Sequence, residues 1–252
     1  MGYSSGTIGR KAYPGKLGSH YSPVGLWLFD GTLTDSGTTG ENLSLARGEV
    51  HYAYLQDSDK RSLSVDDQDG LEGVSSPAPA SLRVSGDVTV QFLYTPIKND
   101  PGTAGTALFI CGGSGSLEAN NELYSLLLDG TAGSITPIFR WEHGAGTRVT
   151  VTDVAFNMTP GRPQHIVGRR FSDGVGTSTG QLWVNGVLIA ELTGQTNPTG
   201  GTSSPIYLGR DASGNVAIQI AALHAIKVVD RSLTDEELLD EFLRTGTATE
   251  LT

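Results

Sequence analysis

The 27 carboxylates are the first side chains in this chain to consider as acid, base or nucleophile. Retaining cleavage of a glycosidic bond needs two of them about 5 Å apart, and a single strand can present such a pair in a Glu-x-Asp-x-x-Glu spacing. No strand candidate has that spacing. The densest acids fall in a helical pattern near residue 240, where solvation and the helix dipole account for them: Asp235, Glu236, Glu237, Asp240 and Glu241.

The five histidines are scattered, and their spacing predicts no metal centre. Neither a His-x-His nor an i, i+4 pair occurs among His20, His51, His143, His165 and His224, so a three-histidine site would have to come from distant loops. His224 falls on the apolar face of a strand pattern, which predicts a packed core residue. The sequence also lacks a His-Glu-x-x-His pair and a Walker loop, and we expect no Gly-x-Ser-x-Gly nucleophile elbow. We therefore predict no catalytic residues and a protein that is not an enzyme.

The single cysteine, Cys111, cannot form an internal disulfide or a thiolate metal centre. Its place in an apolar strand pattern predicts a small buried side chain. The glycine-rich run 112–115 follows that strand and is interpreted as a loop.

Sugar binding requires an exposed aromatic ring and a few polar groups. Trp27, Trp141 and Trp183 all lie within strand patterns beside apolar neighbours, so we predict that they pack in the core. The sequence therefore leaves the residues of any ligand-binding site unknown.

The elements that would position these side chains are short strands. Alternation of apolar and polar residues, with glycine-rich turns between, predicts strands at 25–29, 50–55, 88–95, 106–111, 123–128, 135–141, 148–151, 164–171, 181–190, 205–208 and 216–229. Within 181–190, Asn185-Gly186 supplies the two positive φ angles of a type I′ turn, so this segment is predicted to be a hairpin. The pattern favours an all-β, two-sheet antiparallel sandwich.

One helix is predicted near the end of the chain. Thr234 and Glu237 have the spacing of a capping box, with Leu233 and Leu238 as its hydrophobic staple. We expect one apolar stripe, which would bury Leu238, Leu239, Phe242 and Leu243, and a helix end at Gly246.

The N-terminal residues differ in charge from the rest of the chain. The net charge is −10, yet the first 29 residues carry three basic and no acidic side chains, which leaves −13 for the remainder. We interpret 1–23 as an extended arm, 24–245 as a single domain and 246–252 as a tail. The residues expected to make the arm's assembly contacts are Tyr3, Arg10, Lys11, Tyr13, Lys16 and Tyr21.

Composition excludes several partners. The acidic body argues against nucleic acid, because phosphate neutralisation needs clustered Lys and Arg. No window approaches the ~18 apolar residues of a membrane span, and no apolar segment typical of a signal peptide follows the first basic residues. We expect synthesis in a host cytoplasm, with neither a membrane nor a nucleic-acid partner.

The order of these signals resembles the laminin-G-like, concanavalin-A-like jelly rolls. The resemblance covers about residues 24–245 and rests on Trp27-Leu-Phe-Asp-Gly31, the strand at 88–96, Gly161-Arg-Pro-Gln-His165, Leu182-Trp-Val-Asn-Gly186, and the closing strand and helix from Ile226. It implies a jelly roll in which the N-terminal and C-terminal strands are adjacent.

The same resemblance bears on calcium, which relatives hold with acids near the first loop and an Asp-Glu pair in the last long strand. Asp30 and Asp35 are present, but His224 and Ala225 occupy the paired positions. The acidic run at 66–69 has Val65 and Ser76 where a calcium loop needs Asp and Glu. We therefore expect no cofactor and no structural calcium.

Two functions remain open. Bacteriophage virions contain similar jelly-roll proteins, so the resemblance, together with the arm, the acidic body and the missing catalytic set, favours a non-enzymatic structural protein of a bacteriophage virion. It would be a capsid decoration or head-exterior protein that contacts copies of itself and other virion proteins, such as a capsid protein. The alternative is a carbohydrate-binding laminin-G-like module, free or part of a receptor-binding tail or fibre, with glycans as partners.

Overall fold

The computed structural model describes residues 17–29, 32–40, 42–47, 51–54, 61–65, 70–73, 80–96, 106–111, 122–131, 134–144, 147–158, 161–199, 206–208 and 221–245. These residues form fifteen strands, one short 3-10 turn at Ala80–Leu82 and one α-helix. The strands are β1 (Gly25–Trp27), β2 (Leu43–Arg47), β3 (His51–Tyr54), β4 (Arg61–Val65), β5 (Gly70–Gly73), β6 (Val88–Pro96), β7 (Thr106–Cys111), β8 (Tyr124–Thr131), β9 (Ser134–His143), β10 (Thr147–Thr152), β11 (Gln164–Gly174), β12 (Thr177–Val184), β13 (Val187–Thr196), β14 (Ile206–Leu208) and β15 (Ala221–Val229); helix α1 spans Asp235–Arg244.

The strands form two antiparallel sheets. The first sheet has the order β13-β12-β11-β6-β15-β4-β3, and β1 also pairs with β15. The second sheet has the order β10-β9-β8-β7-β14-β5-β2. Gly25 lies opposite Val228, so the N-terminal and C-terminal strands are adjacent as predicted. The predicted all-β, two-sheet jelly-roll sandwich with one short helix is confirmed.

The main core lies between the two sheets. Two of its aromatic rings pack directly against the backbone at glycine positions. A Cβ built on Gly168 would lie 2.2 Å from Phe139, and one on Gly180 would lie 2.6 Å from Trp141. Since real Cβ atoms do not approach so closely, any side chain at these positions would push the sheets apart. The close approach of β11 and β12 to β9 therefore depends on these two residues.

The buried tryptophans were correctly predicted. Trp27 and Trp141 belong to the main core, whereas Trp183 packs on the other side of the first sheet, with Leu233 and Leu238. His224 is also buried, and its Nε2 lies 2.7 Å from the Thr95 hydroxyl oxygen.

His224 also breaks the alternation of its strand. The register shifts between Leu223 and Ala225, so Leu223, Ile226 and Val228 face the main core while Ala225 joins a cluster on the outer side. The apolar face that the sequence pattern predicts for this strand is interrupted here, because a bulge adds one residue and reverses the phase.

Three strands were missed, namely β2, β4 and β5. Each is four or five residues long, which is too short for alternation to stand out in sequences such as Leu43–Arg47. Pairing with longer neighbours holds them in the sheets, as β4 pairs with β15.

Helix α1 has the predicted N-terminus but not the predicted buried face. Both hydrogen bonds of the capping box between Thr234 and Glu237 are present. Leu238 and Phe242 are buried together with Glu241, but Leu239 and Leu243 are exposed. The predicted stripe was wrong in those two residues, because burial follows i, i+3, i+4 spacing onto the sheet and a paired glutamate occupies one of its positions.

Residues 17–23, predicted to belong to the arm, pack against the domain. Leu17 is buried with Leu93 and Ala225, and the Tyr21 hydroxyl donates to Asp240 Oδ2 at 2.8 Å. Both Tyr21 and Ser22 have positive φ angles, a conformation that surrounding contacts must hold in place.

Several predictions fall outside the described residues. They concern Tyr3, Arg10, Lys11, Tyr13 and Lys16 of the arm, the Cys111 side chain, Asp30, the runs 66–69 and 112–115, the first residues of the 216–229 strand, and Gly246. Within the part of the chain that is described, no helix is long and apolar enough to cross a membrane.

Candidate functional site

The outer face of the second sheet carries a charged cluster at β8, β9 and β10. Along β9, Phe139 and Trp141 point into the core, so Arg140 and Glu142 point outward. Arg148 of β10 lies opposite Glu142 in the register. Glu122 precedes β8, and its backbone carbonyl accepts from Glu142 N at 2.9 Å. We call Glu122, Arg140, Glu142 and Arg148 the charged cluster.

Two ion pairs hold the charged cluster together. Arg140 Nη2 lies 2.7 Å from Glu122 Oε2, and Arg140 Nε donates to both oxygens of the same carboxylate. Arg148 Nε donates to Glu142 Oε1 at 2.9 Å, and Glu142 Oε2 accepts from Glu122 N at 3.3 Å. The four side chains therefore form one continuous network across three strands.

Burial affects the ionisable groups of the charged cluster. The Glu122 side chain is nearly inaccessible. Burial raises the pKa of its carboxyl group, an effect that the adjacent Arg140 guanidinium opposes. Ion pairs in such a low-dielectric setting are strongly directional and hold their partners in one geometry.

Two polar atoms on this face have no hydrogen-bond partner. They are Arg148 Nη2 and the hydroxyl oxygen of Ser125, and both are buried. Ser125 lies opposite Arg140, which in turn lies opposite Thr150 on β10. Buried polar atoms are almost always hydrogen-bonded, and Arg148 Nη2 belongs to a partly exposed side chain beside exposed Thr150. A polar molecule would therefore approach it from the β10 side, whereas Ser125 on β8 is completely buried.

The chemistry of the charged cluster fits binding better than bond cleavage. A glycosidase needs one carboxyl group protonated and the other free to attack or to activate water. Here Glu122 and Glu142 each accept a hydrogen bond from an arginine, so neither carboxylate is free to attack a sugar or to activate water. What the cluster can offer is paired donors and acceptors in fixed positions, the groups that hydrogen-bond neighbouring hydroxyls.

The outer face of the first sheet is closed by α1. Lys227 and Glu241 form an ion pair of 2.6 Å with both side chains inaccessible. The His165 ring stacks on Phe242, and its Nε2 lies 2.9 Å from Gln91 Oε1. Burial, with a smaller contribution from Lys227, lowers the pKa of His165 to about 3, so His165 is neutral at pH 7. This layer holds the helix against the sheet.

One serine motif has the wrong context for catalysis. Residues 176–180 have the spacing Gly-x-Ser-x-Gly, which in hydrolases marks a nucleophile on a strand-to-helix turn. Ser178 instead lies within β12, and its hydroxyl donates to Asn197 Oδ1. Ser178 therefore links the beginning of β12 to the residue that follows β13.

Of the predicted arm contacts, the described residues include Tyr21, which lies against its own domain. Its ring is 5.4 Å from Lys227 Nζ and 5.6 Å from Arg231 Cζ, measured to the ring centroid. Asp35, considered for calcium, accepts hydrogen bonds from Leu26 N and Gly37 N, both at 2.7 Å. Among the described residues, no three His, Cys, Asp or Glu side chains cluster as metal ligands would.

The charged cluster was not found from the sequence. Glu122 and Glu142 are twenty residues apart and come from different strands, so a search for carboxylates along one strand passes over them. Opposite charges spaced two residues apart on paired strands, as in Arg140-Trp-Glu142, are the signal that could have found it.

The chain belongs to the concanavalin A-like lectin/glucanases superfamily, because a laminin-G model of that superfamily matches residues 68–239, more than half of the chain. No curated protein sequence matches it.

Solved structures share the fold at low sequence identity. Domain 4 of AbnA, an extracellular arabinanase from Geobacillus stearothermophilus solved with arabinotriose, superposes with a TM-score of 0.59 and 16% identity over 87% of this chain and 98% of that one. The type G botulinum neurotoxin receptor-binding domain gives 0.61 and 10% over 88% and 51%, and the DC binding domain with SialylT gives 0.62 and 13% over 88% and 51%. The chain thus spans about half the length of these neurotoxin domains.

Proposed function

We propose that this chain is a non-catalytic recognition module that binds a saccharide on the outer face of the second sheet. The observation that carries the proposal is Arg148, a partly exposed arginine at the edge of the charged cluster whose Nη2 has no hydrogen-bond partner. A hydroxyl-rich ligand would supply the missing partner.

Similarity of fold supports this proposal. Two of the structural neighbours are titled as complexes with arabinotriose and with SialylT. The chain shares their superfamily architecture, and we extend saccharide binding to it on that basis together with the charged cluster.

The test is titration calorimetry of the full chain with arabinotriose and with SialylT, alongside a glycan array of neutral and acidic oligosaccharides. We expect at least one ligand to bind, and Arg148→Lys to weaken its affinity about tenfold, which is the loss of one hydrogen bond to a charged group. The matched control is Arg162→Lys, which changes an exposed arginine elsewhere and should leave affinity unchanged.

Two results would count against the proposal. One is the absence of binding to every glycan tested. The other is binding that Arg148→Lys leaves at wild-type strength, which would place the site elsewhere.

A second candidate is a structural protein of a bacteriophage virion, made in the host cytoplasm and attached to the head by its N-terminal arm. The charge asymmetry favours it, because a basic segment of net charge +3 precedes a body of net charge −13 and opposite charges steer association. Leu17 and Tyr21 would then fix the root of the arm on the domain.

Light scattering of the full chain and of a chain lacking residues 1–16 tests this second candidate. If the arm grips acidic neighbours, the full chain forms larger assemblies in low salt than in moderate salt, and the shortened chain does not. Equal masses in all four samples would exclude assembly of copies through the arm.

A further inference from the structure

Four polar side chains are buried between α1 and the outer face of the first sheet. Apolar residues beside them on each strand point into the main core, so Gln91 of β6, His165 of β11 and Lys227 of β15 point toward the helix. Glu241 reaches the same place from α1, and each of the four residues is at most 1% exposed. We call Gln91, His165, Lys227 and Glu241 the polar layer.

Contacts connect the polar layer across the strands and to the helix. Gln91 lies opposite Lys227 in the register, and its Oε1 lies 2.9 Å from His165 Nε2. Lys227 Nζ donates to Glu241 Oε1 at 2.6 Å. Phe242, the next residue of α1, stacks its ring on His165 with the centroids 6.3 Å apart. The four side chains therefore lie next to one another beneath one turn of the helix.

Three atoms of the polar layer have no hydrogen-bond partner in the described part of the chain. They are Gln91 Nε2, His165 Nδ1 and Glu241 Oε2, and all three are buried. Such atoms are rare in native proteins, because folding removes the water that bonded them in the unfolded chain. Three of them in one layer, from β6, β11 and α1, point to a shared partner.

The hydrogen-bonding roles of these atoms are complementary to water. Because an amide oxygen can only accept, neutral His165 donates from Nε2 to Gln91 Oε1, which leaves Nδ1 as an acceptor. Glu241 Oε2 is also an acceptor, whereas Gln91 Nε2 is a donor. Water both donates and accepts, and a buried water typically makes about three hydrogen bonds to polar groups. It can therefore serve one donor and two acceptors together.

Charge and access argue against other occupants of the polar layer. The charges of Lys227 and Glu241 cancel, and Gln91 and neutral His165 add none, so the four side chains offer no net charge to balance a buried ion. The helix covers the layer, and the side chains that line it are inaccessible. A molecule larger than water therefore has no room to enter while α1 is in place.

We propose that internal water is bound in the polar layer, where it accepts from Gln91 Nε2 and donates to Glu241 Oε2 and His165 Nδ1. This water joins α1 to β6 and β11, in addition to the ion pair that joins α1 to β15. The site is independent of the proposed saccharide site, because the charged cluster lies on the other sheet.

A crystal structure of the full chain, at a resolution that shows ordered water, tests the proposal directly. We expect water within about 3.2 Å of Gln91 Nε2 and of at least one of the two acceptors. A polar layer without ordered water overturns the proposal. So does a layer in which the three atoms bond to one another or to other protein groups.

Oxygen-17 magnetic relaxation dispersion tests the same site in solution, because it counts the water molecules that stay bound for longer than the protein takes to tumble. Gln91→Met should lower the number of long-lived waters by about one. The matched control is Gln181→Met, which changes another buried glutamine of the first sheet, one whose amide group is bonded to Arg169 and Glu191. It should leave the number unchanged.

Thermal unfolding shows whether both methionine variants are folded. An unchanged number of long-lived waters in folded Gln91→Met contradicts the proposal. If Gln91→Met does not fold, the crystal structure of the wild type decides the question by itself.

Discussion

At the scale of the residue, single positions hold conformations that few other side chains would allow. Asn185 and Gly186 have φ angles of 52° and 75°, as a type I′ turn requires, and Asn185 Oδ1 accepts from His165 N at 2.9 Å. A Cβ on Gly186 would also lie 2.7 Å from the Phe242 ring. The turn therefore joins the hairpin to α1 as well as linking two strands.

Gly186→Val should destabilise the protein by more than the strain of a positive φ, which is about 1 to 2 kcal/mol for a β-branched residue. Gly176→Val is the matched control, because Gly176 also has a positive φ but nothing lies within 4 Å of its Cβ position. Urea unfolding of both variants should give the larger loss for Gly186→Val. Equal losses would mean that Phe242 moves aside freely.

At the scale of the element, α1 is held by a polar layer as much as by its leucines. Lys227 and Glu241 are paired and inaccessible, and the His165 ring lies beneath Phe242. Removing one member of a buried ion pair leaves the other charge uncompensated. The pair therefore favours a single position of the helix on the sheet. Leu239 and Leu243 are exposed because the helix face that packs on the sheet is the one that carries Glu241.

The buried neutral state of His165 predicts a specific dependence on pH. Its folded pKa of about 3 lies below the ordinary value of 6.5, so the unfolded chain takes up the proton first as the pH falls. The stability contribution is complete above pH 6.5 and is lost between 6.5 and about 3. From pH 7 to pH 5 the wild type should lose about 2 kcal/mol more than His165→Gln. Urea unfolding at both pH values measures this, and equal losses would contradict it.

At the scale of the whole molecule, the two outer faces have different tasks. The first sheet is covered by α1 and by residues 17–23, whereas the second sheet carries the charged cluster, with partly exposed Arg148 at its edge. One face thus supports the structure and the other is proposed to bind a ligand.

Truncation separates the arm from the domain. The structure describes the contacts of residues 17–23 within the N-terminal segment, so a chain lacking residues 1–16 is the reference against which their contribution is measured. Removal of 1–23 deletes buried Leu17 and the Tyr21 contacts to Asp240 and Lys227, and should cost about 2 to 5 kcal/mol. Thermal unfolding of both chains measures the difference, and equal melting temperatures would show that residues 17–23 add nothing to the domain.

The sequence by itself determined the two-sheet fold, the Asn185-Gly186 turn and the capped helix, because alternation, turn residues and caps act between neighbours along the chain. It missed the short strands, the bulge at His224 and the buried face of α1, since pairing partners outside the segment decide those. Only the tertiary structure brought Glu122 to Arg140 and Lys227 to Glu241. Charges distant in sequence meet where strands align, and no local pattern encodes that alignment.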